Sequence, residues 1–173
     1  MTLTLLPSPA LPADTLLAAL RKLLGDPRVA LPFFGRPATP AMMDRYLLQA
    51  QGGGIGEGFL FALGSDDSLL GAASLFGGTL SFFVAPPHWG LGIARTLVAR
   101  LCTDADGADA GLLLSASIYR ENIRSQRIVE AVGFSFAGLH CSGAAAYAGR
   151  PMLRYRRRSP ACRSNHETEG IKP

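Results

Sequence analysis

Residues 86–94 read P-P-H-W-G-L-G-I-A and have the character of an anion-binding loop. They follow a β-branched and aromatic run at 79–84 and open directly into an apolar-periodic stretch at 93–101. A strand that turns through Gly90 and Gly92 into a helix directs backbone N–H groups and the positive end of the helix dipole at one point. Because glycine lacks a Cβ and adopts positive φ readily, a pyrophosphate can approach this backbone closely.

The loop matches neither of two familiar phosphate-binding motifs. Arg95 stands where the dinucleotide fingerprint G-x-G-x-x-G has its third glycine, and no Gly-Lys-Ser/Thr follows the turn as it does in a P-loop. Taken alone, the loop is therefore as consistent with a plain structural turn as with an anion site.

A second segment, residues 122–134, reads N-I-R-S-Q-R-I-V-E-A-V-G-F. Its apolar residues recur at helical spacing. Asn122 is suited to cap the N-terminus of such a helix, and Gly133 is suited to end it. The sequence therefore predicts a short helix with both ends marked.

Together the two segments resemble the acetyl-CoA core of the GNAT acetyltransferases. The patterns V-x-P-x-x-W-G-x-G-I-A and N-x-x-S-x-R-x-x-E-x-x-G-F stand in the order and spacing of that family. The most similar branch is that of the ribosomal-protein N-terminal acetyltransferases, in which a tryptophan commonly precedes the first loop glycine, as Trp89 does here. The resemblance covers residues 59–134. It implies an α/β (α+β) fold with a mixed, mostly antiparallel central sheet flanked by helices, and acetyl-CoA as the acetyl-donor cosubstrate.

The resemblance also implies where acetyl-CoA would bind. In the family, the strand before the loop and the strand after its helix splay apart, and the thioester lies in the gap. Here those strands are residues 79–84 and 111–118. The backbone of Val84 would contact the pantetheine amides. The residues implied to hold the pyrophosphate, mainly through backbone amides, are Trp89, Gly90, Leu91, Gly92, Ile93 and Ala94.

Three side chains are implied to serve the reacting end of the cofactor. Asn122 would meet the pantetheine or the acetyl group in addition to capping its helix. Ser125, one turn later, would face the same way and could protonate the departing thiolate, although an ordinary polar helix position suits it as well. Tyr119 is the other nearby proton donor.

The sequence does not identify a general base. Many relatives have a glutamate at the start of the strand before the loop, where Thr79 stands here. Glu57, Glu121 and His88 are the remaining candidates. A weak or water-relayed base favours an acceptor of low pKa, since at pH 7 about a tenth of an α-amine is unprotonated but only about 0.04% of a lysine amine. We therefore predict an N-acetyltransferase with a slight preference for a peptide or protein N-terminus.

Other functions stay open at this stage. A small-molecule amine, such as an antibiotic, a polyamine or an amino acid, is an alternative acceptor. The missing glutamate also allows a non-catalytic domain that binds acyl-CoA. A glycine turn with a structural role alone would leave an interaction module.

Composition favours a small enzyme of a reducing compartment. Of the 173 residues, 48% are hydrophobic and 17% are charged, which excludes a mostly disordered chain. The three cysteines are odd in number and lack metal-ligand spacing with any histidine, so we expect no disulfide framework and no metal site. Prolines interrupt the apolar N-terminus and no run reaches the length of a membrane span. We expect a cytoplasmic monomer or homodimer without membrane partners.

The net charge of +4 comes largely from one part of the sequence. Five arginines crowd towards the C-terminal end: Arg154, Arg156, Arg157, Arg158 and Arg163. Such clusters are usually solvated, and without interleaved aromatic residues we do not expect nucleic-acid binding. The charge would suit a polyphosphate cofactor or an acidic partner.

Along the chain, helices are predicted first and strands later. Residues 14–24 and 39–51 have helical patterns, with a proline-rich loop at 28–36 between them. Strands are predicted at residues 58–64, 69–76, 79–84, 111–118, 136–139 and 147–155. We expect one GNAT acetyltransferase domain over residues 1–158 and a disordered tail over residues 159–173.

Overall fold

The computed structural model describes residues 3–7, 13–51, 58–108, 111–140 and 151–160 of the chain. The elements, in chain order, are β1 (Thr4–Pro7), α1 (Ala13–Leu24), α2 (Pro27–Phe34), α3 (Pro40–Gln51), β2 (Gly58–Leu63), β3 (Leu69–Phe76), β4 (Thr79–Val84), α4 (Ile93–Ala108), β5 (Leu113–Tyr119), α5 (Ile123–Ala131), β6 (Ser135–His140) and β7 (Met152–Arg158). A short 3₁₀ turn, Pro86–His88, lies between β4 and α4.

The strands form one sheet in the order β1-β2-β3-β4-β5-β7-β6. Every neighbouring pair is antiparallel except β4 and β5, which run parallel. The predicted fold, a mixed and mostly antiparallel sheet flanked by helices, is therefore confirmed.

β4 and β5 meet only at their N-terminal ends. Their register has a single paired position, Thr79 opposite Ser115, where the Ser115 N–H donates to the Gly78 carbonyl at 2.7 Å. From there the strands diverge towards Val84 and Tyr119. The gap implied by the family resemblance is present, and it leaves backbone polar groups on the inner edge of β4 facing open space.

Helices pack on both faces of the sheet. On one face, α1 and α2 pack on a core that includes Phe61 and Phe83. On the other face, α4 and α5 pack on a core that includes Leu97 and Val129, which are fully buried. Because side chains alternate along a strand, Phe83 faces α2 whereas its neighbour Val84 faces α4. The gap therefore opens to both layers.

Residues 28–36, predicted as a loop, are mostly helical, so that prediction is wrong. Asp26 caps the N-terminus of α2, and its carboxylate accepts the Arg28 backbone N–H at 2.8 Å. Pro27 takes the first helical position, where a missing N–H costs no helical hydrogen bond. Gly35 ends the helix in the left-handed conformation, with φ of 73°. The prolines indicated a break in regular structure, whereas one of them starts a helix.

The other differences from prediction lie near the chain ends. β1 precedes the helices and pairs with β2, so the predicted order of helices first is wrong. The last strand runs over Met152–Arg158 rather than residues 147–155, of which 147–150 lie outside the described residues. Most of the arginine cluster thus belongs to a strand of the sheet. Ser159 is buried and donates its N–H to the Leu112 carbonyl at 2.9 Å, while residues 161–173 of the predicted tail lie outside the described residues.

None of the described helices has the length and apolar character that a membrane crossing requires.

Candidate active site

The predicted anion loop connects β4 to α4 over residues 85–92, and we call this segment the glycine loop. After the 3₁₀ turn, the chain passes through Gly90 and Gly92, whose φ angles are 83° and 79°. Apart from the glycine itself and its two chain neighbours, no heavy atom of the described residues lies within 4 Å of the point where a Cβ would stand on either residue. The backbone conformation therefore requires glycine, and open space lies beside it. The first N–H groups of α4, which have no partner within the helix, and the helix dipole favour an anion in that space.

Trp89 fastens the loop to the end of β4. Its indole N–H donates to the Val84 carbonyl at 2.7 Å, and its backbone N–H donates to the Pro86 carbonyl at 3.2 Å. The residue as a whole remains 40% exposed. Two groups expected to serve the cofactor, the Trp89 amide and the Val84 carbonyl, are thus engaged within the loop itself.

The backbone N–H of Val84 faces the gap between β4 and β5. The next residue, Ala85, donates its N–H to the Leu70 carbonyl of β3 at 2.7 Å. Because alternate residues of an antiparallel strand direct their polar groups to opposite sides, Val84 directs both of its own towards the gap. The Val84 carbonyl accepts a hydrogen bond from the indole N–H of Trp89. The backbone N–H of Val84 is therefore the group that this residue can offer to a ligand in the gap.

Arg124 lies over the ring of Trp89. The guanidinium carbon is 5.1 Å from the ring centroid, and a cation–π contact at an exposed site contributes about 0.5 to 1 kcal/mol. The contact joins the first turn of α5 to the glycine loop. No sequence signal indicates this contact, because the spacing of Asn122 and Ser125 does not show that Arg124 reaches Trp89.

Asn122 caps α5 as predicted. Its side-chain oxygen accepts the Ser125 backbone N–H at 3.2 Å, and the backbone N–H of Asn122 donates to the Tyr119 carbonyl at 2.9 Å. Since the cap uses the oxygen, the amide nitrogen of Asn122 is the atom left for other contacts. Asn122 and Ser125 are both half-buried.

Gln126 fixes the turn that carries Asn122. Its buried side-chain nitrogen donates to the carbonyls of Tyr119 at 3.2 Å and Arg120 at 2.8 Å, and its oxygen accepts the Tyr155 hydroxyl at 3.4 Å. A buried amide with partners at both ends holds one orientation. Gln126 is a positioning residue that sequence reasoning missed. The available signal was its spacing, since it stands three positions before the apolar Val129 and therefore on the same face of the helix.

A cavity of about 870 Å³ joins the loop to the gap, a volume typical of ligand sites. Its wall includes eight residues predicted to serve the cofactor: Val84, Trp89, Gly90, Gly92, Ile93, Ala94, Asn122 and Ser125. Leu91 and Tyr119, predicted with them, are not wall residues. Leu91 is 57% exposed, whereas Tyr119 is 2% exposed.

The wall is cationic. Arg95 of α4 and the α5 residues Arg124 and Arg127 lie on the side of the glycine loop, while Arg28 of α2 lies on the other face of the sheet. Among the residues that the structure describes, no aspartate or glutamate lines the cavity. Arg28 is paired with Asp26 at 2.6 Å, and its hydrogen bonds hold the pKa of the Asp26 carboxyl below its ordinary value.

Of the candidates for a general base, His88 lies on the wall. Glu121 is an exposed residue of the turn between β5 and α5 and is not part of the wall, and Glu57 lies outside the described residues. Thr79, which replaces the glutamate of many relatives, lines the closed end of the gap, and Ser81 lines the same face of β4. The described part of the wall therefore offers hydroxyl groups and one imidazole, and no carboxylate, as candidates for the general base.

An ion pair and a buried thiol lie away from the cavity wall. Arg157 of β7 binds Asp106 of α4 through two hydrogen bonds, at 2.8 and 2.6 Å, which hold the pKa of the Asp106 carboxyl below its ordinary value. Burial raises the pKa of the Cys102 thiol to about 11, so this cysteine is a poor nucleophile. Within the described ranges, no group of three or more His, Cys, Asp or Glu residues is placed to hold a metal ion.

The glycine loop, the splayed strands and the capped α5 occupy the places implied by the sequence resemblance. The family model of the acetyltransferase (GNAT) domain matches residues 5–135, which is most of the chain. The chain belongs to the GNAT acetyltransferase family. This GNAT protein is accordingly an acyltransferase. Among curated protein sequences, none matches it significantly.

Several solved structures share the fold of this GNAT enzyme. A phosphinothricin acetyltransferase from Sinorhizobium meliloti, in complex with acetyl-CoA, is 20% identical, with a TM-score of 0.72 over 100% of this chain and 97% of its own. The protein yncA from Salmonella typhimurium, with its cofactor acetyl-CoA, is 17% identical, with a TM-score of 0.70 over 100% and 98%. A spermidine N-acetyltransferase from Vibrio cholerae, in complex with CoA and spermine, is 18% identical, with a TM-score of 0.69 over 91% and 95%. At these identities the likeness establishes the fold.

Proposed function

We propose that this GNAT enzyme transfers the acetyl group of acetyl-CoA to the α-amine of a peptide or protein N-terminus. The observation that carries the proposal is the cavity that runs from the glycine loop into the gap between β4 and β5, with Asn122 and Ser125 on its wall. Two solved proteins of the same fold that hold acetyl-CoA support the choice of donor. The similarity of the loop to that of the ribosomal-protein N-terminal acetyltransferases supports the choice of acceptor.

The loop side of the cavity suits the phosphates of CoA. Gly90 and Gly92 leave room beside the backbone at the α4 N-terminus. The three arginines on this side of the wall, Arg95, Arg124 and Arg127, supply positive charge, and arginine binds phosphate through two parallel hydrogen bonds. With the phosphates there, the pantetheine would extend along β4 and meet the N–H of Val84.

The transfer forms a C–N bond and breaks a C–S bond. The lone pair of the acceptor nitrogen attacks the thioester carbonyl carbon, the nitrogen gives up a proton, and the sulfur leaves as a thiolate that takes one up. Ser125 is our candidate for the donor to sulfur, and His88 is our candidate to receive the amine proton directly or through water, since both are wall residues. The amide nitrogen of Asn122 would hydrogen-bond the acetyl or pantetheine oxygen.

The charge on the wall bears on the acceptor. With no carboxylate on the described wall, the acceptor must reach the gap largely deprotonated. The difference of about 2.5 pKa units between a lysine amine and an α-amine makes the neutral lysine form costlier by about 3.4 kcal/mol. The arginines would also repel an acceptor that carries further positive charge. Both effects favour an α-amine.

A compact apolar amine is the second candidate, favoured by the contribution of α2 to the wall. Val29, Pro32 and Phe33 line the cavity, and the Phe33 ring packs edge-on against Phe83 with centroids 5.0 Å apart. Such a wall would enclose a small apolar group next to the reactive nitrogen. The cationic residues of the same wall disfavour a polyamine.

Trp89, the one tryptophan of the chain, provides the direct test of donor binding. We expect acetyl-CoA to change its emission saturably, with competition by free CoA and weakening at high salt, because phosphates would bind beside the indole. Free tryptophan measured with the same nucleotide corrects for absorption by adenine. CoA release should then be assayed with peptides that differ in a free or blocked N-terminus. An emission that ignores acetyl-CoA while calorimetry shows tight binding would place the donor elsewhere and overturn the proposal.

A further inference from the structure

One face of the β5–β7 ladder carries a row of arginines. The register places Ser117 opposite Arg154, Ser115 opposite Arg156, and Leu113 opposite Arg158. Directly opposed residues of a ladder direct their side chains to the same side of the sheet. We call these six residues the arginine face.

The arginine face lies on the side of the sheet away from α4 and α5. The intervening residues of β7 mark the other side, since Arg157 binds Asp106 of α4 and Tyr155 binds Gln126 of α5. On the arginine face, Leu113 is 43% exposed, and Ser117, Arg156 and Arg158 are exposed too. The helices α1 and α2 cover β3 and β4 on this side of the sheet. The β5–β7 ladder on the same side is exposed to solvent at these four residues.

The arginine face is continuous with the candidate active site. Ser117 belongs to the cavity wall, and Ser115 pairs with Thr79, another wall residue, at the closed end of the gap. Hydroxyl groups thus lead from the gap to Arg156 and Arg158 at the outer end of the face. Arg158 also donates to the Gly111 carbonyl at 3.5 Å, which holds its guanidinium near the surface of the sheet.

We propose that the arginine face docks an acidic segment of the acceptor polypeptide, directly following the N-terminus that is acetylated. The proposal rests on the proposed function and adds the acceptor's charge to it. None of the six residues is acidic, and exposed arginines pair with carboxylates in two-bonded geometry. Arg154 lies opposite Ser117 of the cavity wall. At about 3.3 Å per residue, Arg156 and Arg158 lie roughly 7 and 13 Å further along β7. Acidic side chains at about positions three to six of an extended acceptor would reach them.

The composition of the face favours a polypeptide over a nucleic acid. Single-stranded nucleic acids bind on aromatic side chains that stack with bases, and the arginine face carries none. Serine hydroxyls and an exposed leucine suit an extended peptide, whose backbone groups need hydrogen-bond partners. We therefore assign the positive charge to carboxylates of the acceptor.

The test compares peptides that share the first two residues and differ only at positions three to six. One series has glutamate there, a second has glutamine, and a third has lysine. With the full chain at low ionic strength, we expect kcat/KM for CoA release to be about tenfold higher for the glutamate series than for the glutamine series, and lowest for lysine. The advantage should shrink as salt is raised, because exposed charges are screened.

The variant Arg156→Gln/Arg158→Gln should remove most of that advantage and leave kcat/KM for the glutamine peptide within about twofold. The matched control is Lys22→Gln/Arg45→Gln, which loses the same formal charge from exposed positions on α1 and α3 and should retain the advantage. Both double variants change exposed side chains, and their folding is checked by thermal unfolding before the kinetics are compared.

The outcomes separate this inference from the proposed function. If Trp89 emission reports acetyl-CoA and all three peptide series react equally, the docking of acidic segments is overturned while acetyl transfer stands. Equal loss in both double variants would likewise overturn it, since net charge would then be responsible. Binding of an oligonucleotide that Arg156→Gln/Arg158→Gln abolishes, without discrimination among peptides, would assign the face to nucleic acid. Failure to bind acetyl-CoA would overturn the proposed function itself.

Discussion

The guanidinium of Arg124 lies over the indole of Trp89, with 5.1 Å between the guanidinium carbon and the ring centroid. The same indole donates a 2.7 Å hydrogen bond to the Val84 carbonyl. Trp89 therefore ties three elements together: the end of β4, the glycine loop and the first turn of α5. A ligand at the loop would contact a site whose geometry depends on this one ring.

Replacing Arg124 should weaken acetyl-CoA binding more than it slows the chemical step. In Arg124→Gln we expect the KM for acetyl-CoA to rise about tenfold, because both a stacking partner of Trp89 and a phosphate partner are lost. Arg124→Lys keeps the charge but not the planar contact and should fall between. Arg120→Gln, an exposed neighbour outside the cavity wall, is the control and should leave the KM unchanged. An unaltered KM in Arg124→Gln would mean that the cofactor does not reach α5.

Gly92→Val should greatly weaken acetyl-CoA binding. A β-branched residue at φ of 79° is strained by about 1 to 2 kcal/mol and would fill the space beside the loop. Gly111→Val is the matched control, because Gly111 has φ of 92° and equally open surroundings but does not line the cavity. Calorimetric titration of both variants with acetyl-CoA separates backbone strain from the loss of space for the phosphates. Similar affinities for acetyl-CoA in the two variants would contradict the assignment of the loop as the phosphate site.

Two substitutions of Asn122 distinguish its cap from its contact with the cofactor. Asn122→Ala should lower the free energy of unfolding by about 1 kcal/mol through loss of the cap, whereas Asn122→Asp keeps an oxygen that can accept the Ser125 N–H. If the amide nitrogen serves the cofactor, turnover falls in both variants. Full turnover by a stable Asn122→Asp protein would leave Asn122 with the role of a cap alone.

Ser125→Ala should reduce kcat by about a hundredfold with little change in the KM for acetyl-CoA, because the departing thiolate loses its proton donor. Ser125→Thr keeps a hydroxyl and should restore part of the rate. The fall should be smaller for an acyl donor with a more acidic thiol, since such a leaving group needs less protonation. A Ser125→Ala enzyme that turns over at the normal rate would exclude this serine as the donor.

The ion pair between Asp106 and Arg157 should make stability depend on pH in the acid range. Folding lowers the pKa of the Asp106 carboxyl from its ordinary value of 3.8. The stabilisation of the folded protein by this ion pair is therefore complete at a pH well above 3.8, and it is lost as the pH falls through the lowered pKa of the folded state. At pH 7 we expect the free energy of unfolding of Asp106→Asn to be lower by about 2 kcal/mol, as for hydrogen bonds to a charged group, and the difference should vanish in strong acid. Asp104→Asn, which breaks an exposed pair with Arg100, should cost less than about 0.5 kcal/mol. Urea unfolding at several pH values measures both.

Local rules sufficed for the parts of the site that depend on neighbouring residues. Gly90 and Gly92 were interpreted as residues able to adopt positive φ, and Asn122 was predicted to cap a helix; both expectations concern a single turn of chain, where conformational preference and one hydrogen bond decide. The β-branched and aromatic run at residues 79–84 indicated β4 for the same reason. The resemblance of two short motifs then implied the fold, which the sheet topology bears out.

The tertiary structure decided which distant residues meet. No spacing in the sequence brings Arg124 to Trp89 or turns a cluster of C-terminal arginines into one face of a strand beside the gap. Both follow from the strand order and from the register of β5 against β7, which the packing of the whole sheet selects. Residues 28–36 show the same limit, since prolines permit either a loop or a helix start. The cap from Asp26 is a local signal for the helix that sequence reasoning missed, whereas the packing of Phe33 on Phe83 is tertiary and makes the helix one wall of the site.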